Sequence, residues 1–117
     1  MRKSAFTIKE MIDLWNNPKK QHIRKSDHDI IEKNRGGISY YLYGNEIAFY
    51  NPEQETISIS DGGFKTTTTS NRLHGLGLYN YGISVVQRKF IWYISTDNHK
   101  TFRLWDDYKP YIFKVTS

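Results

Sequence analysis

The spacing of apolar and polar residues changes character once along the chain. Near the start, Ile8, Met11, Ile12 and Trp15 recur at intervals that line one face of a helix. Thr7 and Glu10 form a T-x-x-E capping box before this stripe, and Phe6 and Met11 occupy the positions of a hydrophobic staple. Asn16-Asn17-Pro18 predicts where the helix stops. From Lys19 to Arg35 the pattern fades, with Ile30-Ile31 its only apolar pair, and the segment reads either as an ordered basic loop or as a short strand around Ile30. After Gly36-Gly37 the period becomes two. Residues 38–43 predict a strand, Gly44-Asn45 a two-residue hairpin turn, and residues 46–50 the returning strand. Residues 56–60 alternate Ile57 and Ile59 with Ser58 and Ser60, as a half-buried strand does. Residues 83–88 and 90–95 predict a tight hairpin around Arg88-Lys89, and residues 101–105 and 111–115 add further strands.

Between the two strand-rich parts lies Gly62-Gly63-Phe64-Lys65-Thr66-Thr67-Thr68-Thr69-Ser70-Asn71-Arg72-Leu73. Threonine is stiff at χ1 and favours extended backbone, and its hydroxyl can also cap a helix. The run therefore predicts a strand that ends by starting a helix, with Thr69 or Ser70 as the cap. The helix itself spans residues 71–79, with Leu73, Leu76 and Leu78 or Tyr79 turned inward. Together these elements predict an α+β domain: an antiparallel sheet of about six to seven short strands with two helices packed on one face. The 117 residues leave room for a single domain. It divides into an N-terminal helix with a basic segment over 1–35 and a sheet with an inserted short helix over 36–117.

Composition sharpens this picture. The chain is 15% aromatic, with nine tyrosines, and contains only two alanines, Ala5 and Ala48, which favours sheet over a helix bundle. It has no cysteine, which excludes disulfides, thiol catalysis and zinc ribbons and suits a reducing compartment. No apolar run reaches the length of a membrane span, and the first residues lack the apolar core of a secretory signal, so the expectation is a soluble intracellular protein with no membrane partner. The net charge of +5 is concentrated. Residues 1–35 hold nine Lys and Arg against five acids, and residues 36–117 hold eight against seven. A localised basic region of this kind either attracts phosphate backbones and acidic protein surfaces or serves as a solvated face.

No constellation points to catalysis, and the expectation is a non-enzymatic protein without a cofactor or metal. His22, His28, His74 and His99 lack the spacing of paired metal ligands. Asp27-His28-Asp29 is compact enough to suggest a divalent cation, as in a small metal-dependent nuclease, yet suits a solvated turn better. Gly75-Leu76-Gly77 lacks the third glycine and the Lys-Ser/Thr of a phosphate loop. Asp106 and Asp107 are adjacent and so tend to point to opposite sides.

Two constellations remain as binding candidates. Lys65, Thr66, Thr68, Asn71 and Arg72 surround the expected helix N-terminus, where free N–H groups and cations suit a phosphate or a carboxylate; the reading that asks less of them is that the threonines fill a sheet face and cap the helix while Arg72 pairs with an acid such as Asp61. The strand aromatics Tyr40, Tyr41, Tyr43, Phe49, Tyr50, Trp92, Tyr93 and Trp105 lie beside Arg88, Lys89 and Arg103. Exposed, they would stack bases or anchor a protein interface; enclosed, they would form a sheet buried on both faces. Lys19, Lys20, Arg24 and Lys25 complete the basic set.

Several of these residues also carry a resemblance. Gly44-Asn45-Glu46-Ile47-Ala48, Ile57, Gly62-Gly63-Phe64, Thr66, Thr68-Thr69, Arg72-Leu73, Val85-Val86 and Trp92-Tyr93 resemble a pattern in small uncharacterised proteins of tailed bacteriophages and mobile elements, over residues 43–94. The resemblance implies a phage origin, action in the bacterial host cytoplasm, and function by binding. On this reading the partner is a host protein or nucleoprotein complex, such as a defence nuclease inhibited in the manner of anti-restriction or anti-CRISPR proteins. Direct binding of nucleic acid through the basic residues and sheet aromatics is the second candidate. The chain is expected to act as a monomer or homodimer.

Overall fold

In the computed structural model the described residues are 5–63, 66–89, 91–105 and 109–115. Helix α1 spans Ile8–Trp15 and has both arms of the capping box: the Thr7 side chain accepts from the Glu10 N–H, and the Glu10 carboxylate accepts from the Thr7 N–H. Phe6 and Met11, the staple pair, are both fully buried. In the last turn the buried stripe passes to Leu14, while Trp15 remains 37% exposed.

Among the described residues nine strands follow: β1 (His22–Arg24), β2 (Asp29–Asn34), β3 (Gly37–Leu42), β4 (Asn45–Asn51), β5 (Thr56–Ile59), β6 (Ser84–Arg88), β7 (Ile91–Ser95), β8 (Arg103–Leu104) and β9 (Tyr111–Lys114). Helix α2 (Thr67–Gly75) and a 3-10 turn (Leu78–Tyr81) separate β5 from β6. The fold is α+β with antiparallel pairing throughout, and the strands form two sheets where one was expected. The larger has the order β1-β2-β3-β4-β5-β9, the smaller β6-β7-β8. The division has a topological cause. The chain leaves the first sheet after β5 to build α2, and the returning C-terminal strand β9 takes the edge of β5 that β6 would have needed.

The basic segment after α1 is a hairpin of β1 and β2, not a loop, with Ile23 opposite Ile31. The β2–β3 hairpin turns through Arg35 and Gly36, both at positive φ (52° and 77°), which gives a two-residue connection the twist its strands require. The next turn falls on Tyr43-Gly44, one residue earlier than expected, because Asn45 pairs with Leu42 as the first residue of β4. The inner face of the larger sheet, with Ile31, Ile38, Tyr40, Ile57 and Ile59, packs under α1 and forms one core with Leu73, Leu76 and Trp92. A main-chain hydrogen bond of 3.1 Å from the Ile8 N–H to the Leu76 carbonyl joins the start of α1 to the end of α2. The Val85 N–H donates to His74 Nε2 at 3.1 Å and so anchors the smaller sheet to α2.

Candidate interaction surface

The threonine run does not stay extended. Thr66 alone is extended (φ −112°, ψ 160°) and is the N-cap, its hydroxyl accepting from the Thr69 N–H at 3.2 Å; the helix begins at Thr67. The handover thus lies three residues before Thr69, and Thr67, Thr68 and Thr69 join the first turn of the helix. Thr69 is buried with its hydroxyl 3.1 Å from that of Thr66. Thr66→Ala is expected to lower stability by about 1 kcal/mol, measured by denaturant unfolding, because it frees the Thr69 N–H without opening the core.

A cavity of about 380 Å³ opens beside this cap, lined by Leu42, Tyr43, Ile47, Asp61, Thr66 and Thr68 among others. Asp61 is buried, and its carboxylate accepts from the Gly63 N–H at 2.7 Å. A carboxylate in the lining opposes the anion expected there. Phe64 and Lys65 lie outside the described residues, as do Asp106 and Asp107. Asn71 is half-buried on α2.

Arg72 is committed elsewhere. Its Nε donates to Asp29 Oδ1 at 2.7 Å and its Nη2 to Asp29 Oδ2 at 3.3 Å. Asp29 is fully buried and also accepts from the Tyr40 hydroxyl (2.7 Å) and the Ser26 hydroxyl (2.7 Å). Burial alone would raise the Asp29 pKa, but the hydrogen bonds from Arg72, Tyr40 and Ser26 and the arginine charge bring it below the ordinary carboxylate value. Burial and the adjacent carboxylate push the Tyr40 phenol well above the usual tyrosine range, which keeps it a neutral donor. The Tyr40 oxygen accepts in turn from the Phe6 N–H at 3.3 Å. The guanidinium therefore ties α2 to the larger sheet through Nε and Nη2. The acid that it meets is Asp29, not Asp61.

The same network takes apart the Asp27-His28-Asp29 triplet. Asp29 faces Arg72, His28 stacks on Tyr43 with ring centroids 4.1 Å apart, and Asp27 is exposed. Among the described residues no three His, Asp or Glu side chains gather around a common cation position. Lys25 is also structural: its Nζ donates to the Ala5 carbonyl (3.0 Å) and to Glu10 (2.9 Å) and lies over the Phe6 ring. Arg24 donates to the Asp27 carbonyl at 3.2 Å, and Lys19 and Lys20 stand exposed between α1 and β1.

The structure divides the strand aromatics. Tyr40, Tyr50, Trp92 and Trp105 are buried, Tyr41, Phe49 and Tyr93 are half-buried, and Tyr43 is exposed. Arg88 and Lys89 are adjacent and exposed at the tip of the β6–β7 hairpin. They adjoin the outer face of the smaller sheet. Val86 pairs with Tyr93, Arg88 with Ile91, and Tyr93 with Leu104, so these side chains share one face. Ile91, Phe102 and Leu104 are 45%, 44% and 64% exposed. Val86, Arg88, Tyr93 and Phe102 line a groove of about 360 Å³ on this face. Residues 62–96 contain no Asp or Glu. Asp97, past the far end of β7 from Arg88, is held by Thr101 Oγ1 (2.6 Å), the Thr101 N–H (3.0 Å) and Ser95 Oγ (2.9 Å), and these hydrogen bonds keep its pKa far below the carboxylate range. Arg103, paired with Ile94, projects from the opposite face.

The family model of the Kyanoviridae Gp96 protein, a phage protein family, matches residues 1–111. The chain belongs to this family. No curated protein and no solved structure matches it. The match supports the phage origin that the shorter resemblance over residues 43–94 implied, and it extends to the N-terminal helix and the β1–β2 hairpin. Among the described residues no helix is long and apolar enough to cross a membrane.

In this Gp96-family chain the outer-face residues Val86, Ile91, Phe102 and Leu104 were absent from the expected binding set. Their signal was present in the sequence, since Ile83-Ser84-Val85-Val86 and Ile91-Trp92-Tyr93-Ile94 place apolar side chains at both parities. Such strands are buried on both faces or display one of them, and only the packing of α2 and Trp105 decides between these outcomes.

Proposed function

We propose that this phage protein works by binding rather than by catalysis, docking on a host protein or nucleoprotein complex and inhibiting it, with a host defence nuclease as the most specific version of that target. The observation that carries the reading is the outer face of the β6-β7-β8 sheet, where Ile91, Phe102 and Leu104 stay exposed around Tyr93. A contiguous apolar patch with an aromatic centre and an arginine at its margin has the composition of a protein interface. The second reading, direct binding of nucleic acid, draws on Arg88, Lys89, Lys19, Lys20 and Arg24, which are all exposed.

Salt dependence separates the two. Fluorescence anisotropy with labelled duplex and single-stranded DNA is expected to give no measurable affinity near physiological salt. An affinity that falls linearly in log–log form as salt rises would replace the docking reading with the nucleic-acid one. The docking reading also requires that a host protein captured by the wild-type chain survive nuclease treatment and that its activity fall on capture. Ile91→Asp with Leu104→Asp, which leaves the buried residues untouched, should abolish both effects.

A further inference from the structure

Resting on the docking reading above, we propose that the partner surface received by the β6-β7-β8 face is an acidic segment of protein, with carboxylates meeting Arg88 and Lys89 and apolar side chains entering the groove beside Tyr93. Among the described residues the charge on this face is one-sided. Arg88 and Lys89 are exposed and form no ion pair among the described residues. By contrast Lys9, Lys25, Arg35 and Arg72 each meet a carboxylate. Asp97 lies past the far end of β7 from Arg88 and Lys89 and is held by hydrogen bonds within its own loop. A pair of cations with no ion-pair partner among the described residues, set at the margin of an apolar groove, is complementary to carboxylates flanking an apolar side chain.

The same charge argues against the other occupants. A homodimer built on this face would need a carboxylate on the same face of the other copy to meet Arg88 and Lys89, and none of Val86, Ile91, Tyr93, Phe102 and Leu104 supplies one. Single-stranded nucleic acid needs successive aromatic planes on which to stack. Here Tyr93 and Phe102 make no ring contact with each other among the described residues, and three of the six side chains on the face, Val86, Ile91 and Leu104, are aliphatic. Aliphatic side chains bury well against protein and offer a base no plane to stack on.

The test uses the full chain, labelled with nitrogen-15 and titrated in turn with three probes: a peptide alternating leucine and glutamate, its leucine–lysine counterpart, and an oligothymidylate of about ten nucleotides. The leucine–glutamate peptide is expected to move the amide signals of Val86, Arg88, Ile91, Tyr93 and Leu104, while the other two probes leave them in place. Arg88→Glu with Lys89→Glu, both at an exposed turn, should weaken that peptide by about tenfold or more with an unchanged circular dichroism spectrum. Equal shifts with the lysine peptide, shifts with oligothymidylate, shifts that follow protein concentration alone, or no response to the acidic peptide would each overturn the proposal. Its failure is distinct from that of the docking reading. If the captured host protein is lost from Ile91→Asp/Leu104→Asp but retained by Arg88→Glu/Lys89→Glu, docking stands and the acidic partner falls.

Discussion

Arg72→Ala is expected to cost about 3–5 kcal/mol of folding stability, because it leaves the Asp29 carboxylate buried without its counter-charge. For a domain of this size the loss corresponds to a fall in melting temperature of roughly 10–25 °C, followed by circular dichroism. The double variant Asp29→Leu/Arg72→Met should recover much of it, since replacing both members of a buried pair removes the unpaired charge. The sign of the pH dependence follows from the same geometry. Asp29 has a folded-state pKa below its unfolded value, so its contribution is fully present above the unfolded carboxylate pKa. That contribution is lost as pH falls through the folded value. Wild-type protein should therefore destabilise on acidification below about pH 4, and Asp29→Asn should show a shallower acid slope. Glu10 contributes in the same direction: although burial alone would raise its pKa, hydrogen bonds from Lys25 and Thr7 hold it below the ordinary value, so some slope remains in that variant. A loss below about 1 kcal/mol for Arg72→Ala, with host-target binding abolished, would make Arg72 a contact residue rather than a structural one.

The second large effect is expected at Gly37. A Cβ built there would overlap the Tyr50 carbonyl oxygen and come within 2.7 Å of Phe49 Cζ. The carbonyl belongs to β4, paired to β3 through Ile38 and Tyr50, so it cannot retreat without opening the ladder. Gly37→Ala should cost about 3 kcal/mol in urea unfolding. Gly36→Ala is the control. Its Cβ would meet nothing within 4 Å, and only the positive φ of 77° opposes it, so the loss should be about 1–2 kcal/mol. Equal losses at the two positions would show that the sheet accommodates a methyl group at Gly37.

The difference between what was legible and what was not follows sequence separation. The capping box of α1 was readable because its two partners lie three residues apart and interact through the helix they start. The cap of α2 was readable in kind and misplaced in position: each of the consecutive threonines qualifies chemically, and the choice of Thr66 rests on how α2 meets the rest of the fold. The partner of Arg72 was out of reach, since Asp29 lies 43 residues away on β2 and nothing local distinguishes it from Asp61. The basic set met the same limit. Lys25 and Arg72 look like Arg88 and Lys89 in the sequence, yet the first two are held by buried or half-buried partners and the last two form no ion pair among the described residues.

By itself the sequence determined the α+β class, the helix start at Thr7, the period-two strands and their tight turns, because each of these depends on residues within a few positions of one another. Tertiary structure alone decided that the strands separate into two sheets, that Asp29 receives the guanidinium of Arg72, and that Ile91, Phe102 and Leu104 face outward around Tyr93. Those outcomes depend on which surfaces of distant elements cover one another, and identical local patterns are compatible with either side of a strand being the one that is covered.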